Sequence, residues 1–274
     1  MIIYKKIGNT GIEVPAVGIG TWEIGGGLSP DRSKDDEGIQ AIRKGIELGM
    51  TLIDTAEKYA DGHAEELVGE AIRSFPRDNL FIVSKVWPDH LQYEEVLTAA
   101  ERSLQRLGID RLDLYLVHHP NPDVPLKETM PAMEELVRHG KVKFIGVSNF
   151  NVRQMEEASS YLENNVITVN QLPYSLLDRD IEKETLPYCV KHNITVMAYW
   201  PLSRGNLAKD EFLSNIGKKY GKTSAQVAIN WLITHENVIA IPKAVNPEHL
   251  EQNAEVANWR LSEEDIELIS SHFQ

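Results

Sequence analysis

The chain repeats one pattern along most of its length: a short apolar run rich in β-branched residues, followed by a segment with helical periodicity. The apolar runs begin near Val17, Thr51, Leu80, Leu112, Val142, Val166, Ile194 and Val238. The helical patterns cover roughly Asp35 to Leu48, Ala64 to Phe75, Tyr93 to Leu107, Met130 to Arg138, Val152 to Leu162, Ile181 to Lys191, Ala225 to Thr234 and Pro247 to Ala254. This alternation predicts parallel strands, because each crossover helix returns the chain to start the next strand in the same direction. The repeat therefore predicts an α/β fold of the (β/α)8 TIM-barrel type.

Two further segments flank the repeat. Before it, Ile2 to Ile7 and Ile12 to Val14 are joined by Gly8-Asn9-Thr10-Gly11, a turn sequence that predicts a β-hairpin closing the bottom of the barrel. After it, Ser262 to Ser270 predicts a last, extra helix with capping-box spacing at its start. The 274 residues contain no Pro/Ser-rich or low-complexity linker, so we expect one domain over residues 1–274.

Composition limits the partners and the compartment. The net charge of −13 argues against a nucleic-acid partner, although a local cationic pocket can still hold an anionic cofactor. The single cysteine, Cys189, excludes an internal disulfide framework and fits a reducing compartment. The amino terminus lacks the apolar core of a signal peptide, and no apolar run is long enough to cross a bilayer. We expect a cytoplasmic protein with no membrane partner.

Polar or reactive side chains stand at or just after the ends of the apolar runs. In a parallel barrel the carboxyl ends of the strands share one face, which is where enzymes of this architecture build their active sites. We therefore predict that one set of residues converges there: Asp54, Lys85, His118, Asn149, Gln171, Tyr199 and Lys243.

Four residues at or near successive strand ends suggest proton-transfer chemistry. A phenol is a poor acid at neutral pH, but an ammonium beside it favours the phenolate, so Lys85, held by Asp54, would make Tyr59 a usable proton donor. An imidazole, here His118, that hydrogen-bonds the same oxygen completes what carbonyl reduction requires. Taken singly, each residue also has a structural interpretation: a helix cap or loop brace for Asp54, a packed loop aromatic for Tyr59 and an exposed cation for Lys85.

Five motifs resemble those of the aldo-keto reductases, in order and at the usual spacings. They are Gly18-Ile19-Gly20-Thr21-Trp22, Asp54-Thr55-Ala56-Glu57-Lys58-Tyr59, Asp113-Leu114-Tyr115-Leu116-Val117-His118, Gly146-Val147-Ser148-Asn149-Phe150 and Ile241-Pro242-Lys243. The resemblance implies an NADPH-dependent oxidoreductase that reduces aldehydes and ketones to alcohols. By that likeness Tyr59 is the general acid, Asp54 and Lys85 tune it, and His118 orients the carbonyl.

The resemblance also implies a cofactor site across the barrel mouth. Ser148, Asn149 and Gln171 would hold the nicotinamide carboxamide, Tyr199 would stack on its ring, and Gly20 and Thr21 belong to the same set. The residues further along match the pyrophosphate loop (Leu202, Ser203 and Gly205) and the positions that hold the adenosine end (Lys243, Asn246, His249 and Asn253). Lys243 matches a lysine that contacts the 2′-phosphate of NADPH, but His249 replaces the usual arginine and lacks its bidentate fork. We expect NADPH to be preferred modestly, with NADH bound more weakly.

The substrate pocket is predicted from three side chains, Trp22, Trp87 and His119. Because successive strand residues face opposite ways, and because the family pattern puts its histidine directly after the apolar run, His118 rather than His119 is expected to be catalytic. His119 then occupies a site that a large aromatic usually fills. A metal site is the other interpretation of this pair, but no ligand spacing supports it, so we expect none.

Two alternatives from other classes of function stay open at this point. One is a non-catalytic subunit of the same fold that senses nicotinamide nucleotides. The other, less favoured, is a Schiff-base aldolase that uses Lys85 as its nucleophile. For the reductase we expect a small-molecule carbonyl substrate and a monomer or a weak oligomer, and the residues do not rank one carbonyl compound above another.

Overall fold

A computed structural model describes residues 2–274 of the chain. Its main sheet has eight parallel strands, each paired with the next along the chain. A separate antiparallel pair precedes this sheet. Numbered in chain order, the strands are β1 (Tyr4–Lys6), β2 (Glu13–Pro15), β3 (Ile19–Gly20), β4 (Leu52–Asp54), β5 (Phe81–Val86), β6 (Leu112–Val117), β7 (Val142–Ser148), β8 (Ile167–Pro173), β9 (Thr195–Tyr199) and β10 (Val238–Ala240).

The two edges of the parallel sheet meet, which closes it into a barrel. The backbone amide of Gly18 donates to the carbonyl of Ala240 at 2.9 Å, and the amide of Ala240 donates to the carbonyl of Ala16 at 3.0 Å. Val17 forms a parallel bridge with Ala240, and the amide of Gly20 reaches the carbonyl of Pro242 at 3.1 Å. The predicted (β/α)8 barrel is therefore confirmed, although its first strand is shorter and begins two residues later than expected.

The antiparallel hairpin covers the amino-terminal ends of the barrel strands, as predicted. The amide of Gly8 donates to Thr195 Oγ1 at 2.8 Å, and that hydroxyl donates to the carbonyl of Lys6 at 2.8 Å. Gly8 has φ of +49°, and a Cβ there would lie 3.0 Å from the carbonyl oxygen of Asn193. Glycine is the residue that this close, left-handed turn accepts without strain.

In the part of the chain that the structure describes, ten α-helices surround the barrel: α1 (Asp35–Glu47), α2 (His63–Ile72), α3 (Tyr93–Leu107), α4 (Leu126–Arg138), α5 (Val152–Ser160), α6 (Thr185–Lys191), α7 (Glu211–Tyr220), α8 (Ser224–Thr234), α9 (Pro247–Glu255) and α10 (Glu263–His272). The extra helix α10 follows the barrel as predicted, and Ser262 caps it by accepting from the amide of Asp265. Within residues 2–274 no helix is both long and apolar enough to cross a membrane.

Three helices differ most from the prediction. The helix α4 begins at Leu126 instead of Met130, because Pro131 is accommodated inside it. A short 3-10 helix at Asp180–Lys183 takes up the first turns that were assigned to α6. The helix α7 was not predicted, since one helix per strand was expected and this crossover contains two, although Asp210 caps α7 in the ordinary way by accepting from the amide of Leu213.

Apolar side chains fill the barrel and separate the hairpin from the opposite face. This interior cluster joins the hairpin residues Ile7 and Val14 to inward-facing residues of the barrel strands, among them Leu52, Leu114 and Met197. A larger cluster packs the outer surface of the barrel against the helices. The interior is thus a solid core with polar side chains only near its ends.

We predict that Ile7→Ala destabilises the fold by about 2–5 kcal/mol. The Ile7 side chain has no exposed surface, so its truncation leaves a cavity in the core. Tyr4→Ala is the matched control, since Tyr4 lies in the same hairpin with 53% of its surface exposed and should change stability by less than about 1 kcal/mol. Urea unfolding followed by circular dichroism measures both. Equal losses in the two variants would show that the hairpin does not seal the core.

Candidate active site

The polar residues predicted from the strand ends lie together at the carboxyl-terminal face of the barrel. Asp54 ends β4, Lys85 is the penultimate residue of β5, and Ser148 ends β7. His118 and Asn149 each directly follow a strand, Gln171 lies in β8, Tyr199 ends β9 and Lys243 comes three residues after β10. Direct contacts join most of this set.

A buried lysine is the centre of the site. Lys85 Nζ donates to Asp54 Oδ2 at 2.8 Å, to the carbonyl of Thr55 at 2.9 Å and to the phenol oxygen of Tyr59 at 3.0 Å. Gln171, on the far side of the barrel, donates from Nε2 to the other carboxylate oxygen of Asp54 at 2.8 Å. All three hydrogens of the ammonium have acceptors, so its charge is fully hydrogen-bonded away from water.

Burial and charge act against each other on this network. Burial alone would lower the pKa of Lys85, but Asp54 and Tyr59 outweigh it and raise that pKa above its ordinary value, so the lysine stays cationic. Burial raises the pKa of Tyr59, and the positive charge of Lys85 opposes the rise. Tyr59 therefore holds its proton at neutral pH, and Lys85 stabilises the phenolate that forms when the proton leaves.

Tyr59 is held by an unusual turn. It begins a 3-10 segment in which Ala60 and Asp61 have φ of +49° and +53°, followed by Gly62 with φ of +91°. A Cβ on Gly62 would meet the Arg106 side chain at 2.8 Å, so the turn is also tightly covered. The amide of Ala60 donates to the carbonyl of Gly27 at 2.7 Å, which anchors the turn to the loop after β3.

His118 lies beside the phenol of Tyr59, and His119 stacks on His118. The ring of His118 is 5.6 Å from the ring of Tyr59, and burial, Lys85 and His119 lower the pKa of His118 to about 2. The ring of His119 stacks on His118 at 5.0 Å with 13° between the planes. The expectation that the two histidines face opposite ways is wrong, because β6 ends at Val117 and both rings lie beyond the strand on one side.

Two tryptophans border the histidines and the phenol. Trp22 packs edge-on against Tyr59 at 5.0 Å, and Trp87 packs edge-on against His118 at 5.1 Å. Thr21 braces the end of β4, because its hydroxyl donates to the carbonyl of Asp54 at 2.9 Å. At Gly20 a Cβ would lie 2.7 Å from the carbonyl oxygen of Ile241, so the glycine permits the close approach of the barrel's two edges.

The residues matched to the nicotinamide carboxamide form a second hydrogen-bonded group. Tyr199 donates from its hydroxyl to Asn149 Oδ1 at 2.8 Å, and Asn149 Nδ2 donates to the carbonyl of His118 at 3.0 Å and to Ser148 Oγ at 3.0 Å. Ser148 Oγ donates in turn to the carbonyl of Gln171 at 2.9 Å. Asn149 has φ of +62°, a conformation that asparagine tolerates better than most residues.

The loop after β9 turns sharply through left-handed residues. Ser203 has φ of +46° and Gly205 has φ of +93°, and the Ser203 hydroxyl shares a 2.6 Å hydrogen bond with Ser175. Leu202 is partly buried against the outer core. The guanidinium of Arg204 lies 4.0 Å from the ring centre of Trp200, which is exposed.

The residues matched to the adenosine end lie on the connection between β10 and α9 (Lys243 and Asn246) and in α9 itself (His249 and Asn253). Lys243 is exposed, with Nζ 4.0 Å from Glu23 Oε2. Asn246 caps α9 by accepting from the amides of Glu248 and His249. His249 is exposed and Asn253 is buried. Across residues 2–274 no group of three or more His, Cys, Asp or Glu side chains is arranged to hold a metal ion.

The sequence reasoning did not single out two residues of the site. Thr55 supplies a carbonyl acceptor to Lys85, a backbone role that no side-chain pattern signals. Glu57 is a buried carboxylate that contacts the segment carrying Trp87. The sequence offered one signal for Glu57, which is an acidic residue placed between Asp54 and Tyr59 in the motif of the site.

Comparison with known proteins matches the Aldo/keto reductase family model to residues 16–274. The chain belongs to the aldo/keto reductase family. It is 40% identical over 267 residues to the methylglyoxal reductase YeaE of Escherichia coli (strain K12), which covers 96% of this chain and 92% of that protein.

Solved structures of aldo-keto reductases agree in fold with this one. A thermostable aldo-keto reductase in complex with the inhibitor epalrestat is 46% identical with a TM-score of 0.95, over 98% of this chain and 99% of that chain. An aldo/keto reductase of Klebsiella pneumoniae in complex with NADP and acetate is 39% identical with a TM-score of 0.91, over 100% and 96% of the two chains.

Neither alternative function gains support from these relatives or from the site. A Schiff-base aldolase needs a neutral lysine as nucleophile, whereas Lys85 in this aldo-keto reductase is an ion-paired ammonium with three acceptors. A sensor subunit would not need a phenol hydrogen-bonded to a buried ammonium.

Proposed function

We propose that this aldo-keto reductase reduces small carbonyl compounds with NADPH, using Tyr59 as the proton donor. The contact that carries the proposal is the 3.0 Å hydrogen bond from the buried, charged Lys85 to the phenol oxygen of Tyr59. When bound, the reduced nicotinamide supplies a hydride to the carbonyl carbon. The residues of the chain supply the proton, orient the substrate oxygen and keep water away.

The proton moves from the phenol to the substrate oxygen. As negative charge develops on that oxygen, Tyr59 Oη releases its proton and becomes a phenolate, which accepts a hydrogen bond from Lys85 Nζ. Asp54 fixes the lysine and balances its charge. His118 is neutral, so it can donate one hydrogen bond to the same substrate oxygen without adding a second charge beside Lys85.

The residues of the mouth suit a nicotinamide dinucleotide. Ser148, Asn149 and Tyr199 form a polar patch next to His118, where a carboxamide would find both donors and acceptors. At the other end, exposed Lys243 offers a cation, which a phosphate favours. The bound NADP of the Klebsiella relative supports the phosphate-bearing cofactor.

We infer that the preferred substrates are vicinal dicarbonyls. His119 presents a second imidazole along the pocket wall, half-buried and stacked on His118. Its Nε2 lies 3.4 Å from Asn149 Nδ2, and a neutral imidazole keeps one N–H donor. A neighbouring carbonyl oxygen would thus find a donor. The methylglyoxal reductase activity named for the Escherichia coli relative supports this class.

We predict that Tyr59→Phe lowers kcat for carbonyl reduction by about two to four powers of ten, the contribution expected of a general acid. Cofactor affinity should stay within about threefold, because Tyr59 contacts Lys85 rather than the patch around Asn149. Cofactor oxidation at 340 nm and fluorescence titration measure the two quantities. Tyr161→Phe, at an exposed tyrosine, is the control. Retention of more than about a tenth of the activity would refute Tyr59 as the acid.

We predict that NADPH binds about tenfold more tightly than NADH and that Lys243→Ala removes this preference, since an ammonium bonded to phosphate is worth about 1.5–3 kcal/mol. The dissociation constant for NADH should not change, because NADH has no 2′-phosphate. Calorimetric titration of both cofactors tests this, with Lys191→Ala, at the exposed end of α6, as the control. If the preference for NADPH persisted in Lys243→Ala, residues other than Lys243 would be responsible for recognising the 2′-phosphate.

We predict that His119→Phe, which keeps the stacked ring and removes the donor, lowers kcat/KM for methylglyoxal by about three- to tenfold, the equivalent of one lost neutral hydrogen bond. For benzaldehyde, which has one carbonyl, the same variant should stay within about twofold of the unmodified enzyme. Equal changes of kcat/KM for both substrates would show that His119 does not recognise the second carbonyl. The proposal of carbonyl reduction would still stand.

A further inference from the structure

Glu57 is a buried carboxylate that the proton-transfer network does not use. It lies in the loop between β4 and Tyr59, and its side chain is 7% exposed. Its Oε1 accepts from the backbone amide of Trp87 at 2.5 Å and from Nδ1 of His90 at 3.1 Å. Burying a carboxylate costs free energy, so a position that a neutral residue could fill needs a compensating role.

The contact with the backbone of Trp87 fixes a side chain at the edge of the carbonyl pocket. The indole of Trp87 meets His118 at 5.1 Å and His119 at 5.9 Å, both at nearly right angles. Lys58, the next residue after Glu57, holds its ammonium 5.7 Å from the centre of the same indole. The loop that ends in Tyr59 therefore contacts Trp87 at two points: Glu57 binds its backbone amide, and Lys58 lies over its ring.

The geometry of the contact requires an acceptor oxygen that reaches the Trp87 amide. One oxygen of Glu57 receives two donors, Trp87 N–H and His90 Nδ1–H. Because Trp87 directly follows β5, a fixed amide at this point also fixes where the indole leaves the strand. A shift of the indole would change the space beside His118 without moving Tyr59 or Lys85.

We propose that Glu57 is a positioning residue that sets the place of Trp87 and so determines how well the pocket accepts aromatic aldehydes relative to small ones. This inference rests on the proposed function, carbonyl reduction at this site, and on the prediction from the sequence that Trp87 borders the substrate pocket. Glu57 does not touch the reacting atoms. Its effect should therefore appear in the KM of a substrate that reaches Trp87, while kcat is retained.

Two conservative substitutions test the mechanism because they separate the charge from the reach of the side chain. Glu57→Gln keeps an acceptor oxygen at the same distance, and we expect its KM for 4-nitrobenzaldehyde to stay within about threefold of the unmodified enzyme. Glu57→Asp keeps the charge but falls short of the Trp87 amide, and we expect that KM to rise about tenfold, the equivalent of about 1.4 kcal/mol. For glyoxal, which is too small to need the indole, KM should stay within about twofold in both variants, and kcat should stay within about threefold throughout.

A Trp87→Ala background identifies the path of the effect. If Glu57 acts through the indole, Glu57→Asp should raise KM no further in that background, as expected for two residues that act as a unit. A normal Glu57→Asp with an impaired Glu57→Gln would overturn the proposal, because the charge would then matter and the hydrogen bond would not. Equal losses of kcat for both aldehydes would also overturn it, by placing the effect on Tyr59.

If the proposed function were wrong, the unmodified enzyme would oxidise NADPH with neither aldehyde. If instead Trp87→Ala left the KM for 4-nitrobenzaldehyde unchanged, Trp87 would not border the pocket and the role of Glu57 would be overturned, while carbonyl reduction would still stand. Circular dichroism and the dissociation constant for NADPH, measured on each variant, confirm that the protein compared is folded and binds its cofactor.

Discussion

The ion pair between Lys85 and Asp54 is the interaction on which the site depends. The lysine has no exposed surface, and the pair joins two adjacent strands inside the barrel. Removing two charges from water costs several kcal/mol per ion, and this cost is offset only when their remaining hydrogen-bonding groups are satisfied. Here a carbonyl, a phenol and an amide complete the set, and the amide, Gln171, comes from 117 positions further along the chain. The charge is therefore stable only when the barrel is closed, so the fold and the chemistry rest on the same contacts.

The positive charge of Lys85 also influences the protonation states of the groups around it. Lys85 holds His118 neutral together with burial, and it opposes the effect of burial on Tyr59. The site thus presents one permanent cation, one protonated phenol and neutral imidazoles in a single pocket. A proton can leave the phenol at the moment when negative charge appears on a substrate oxygen, because the compensating charge is already present.

Much of this arrangement could be predicted from the chain because parallel strands force their carboxyl ends together. That rule alone predicts that Asp54, Lys85 and Gln171 lie at one face. It failed just past the strands: the alternation of side chains does not extend to His118 and His119, whose rings stack on one side. Left-handed residues such as Trp200 and Ser203 also carry no clear signal, because their conformation is imposed by the surrounding loop. Glu57 was missed for a related reason, since its partner is a backbone amide.

The turn that carries Tyr59 contains backbone strain, and this strain affects which substitutions evolution can accept there. Ala60 adopts a left-handed conformation that disfavours any side chain with a Cβ, at a cost of order 1 kcal/mol. A glycine there would relieve the strain but would also loosen the segment just after the phenol. Selection for heat resistance alone would therefore be drawn toward this turn, whereas selection for turnover would oppose the same change. The strained backbone marks a position where stability and activity pull the sequence in opposite directions.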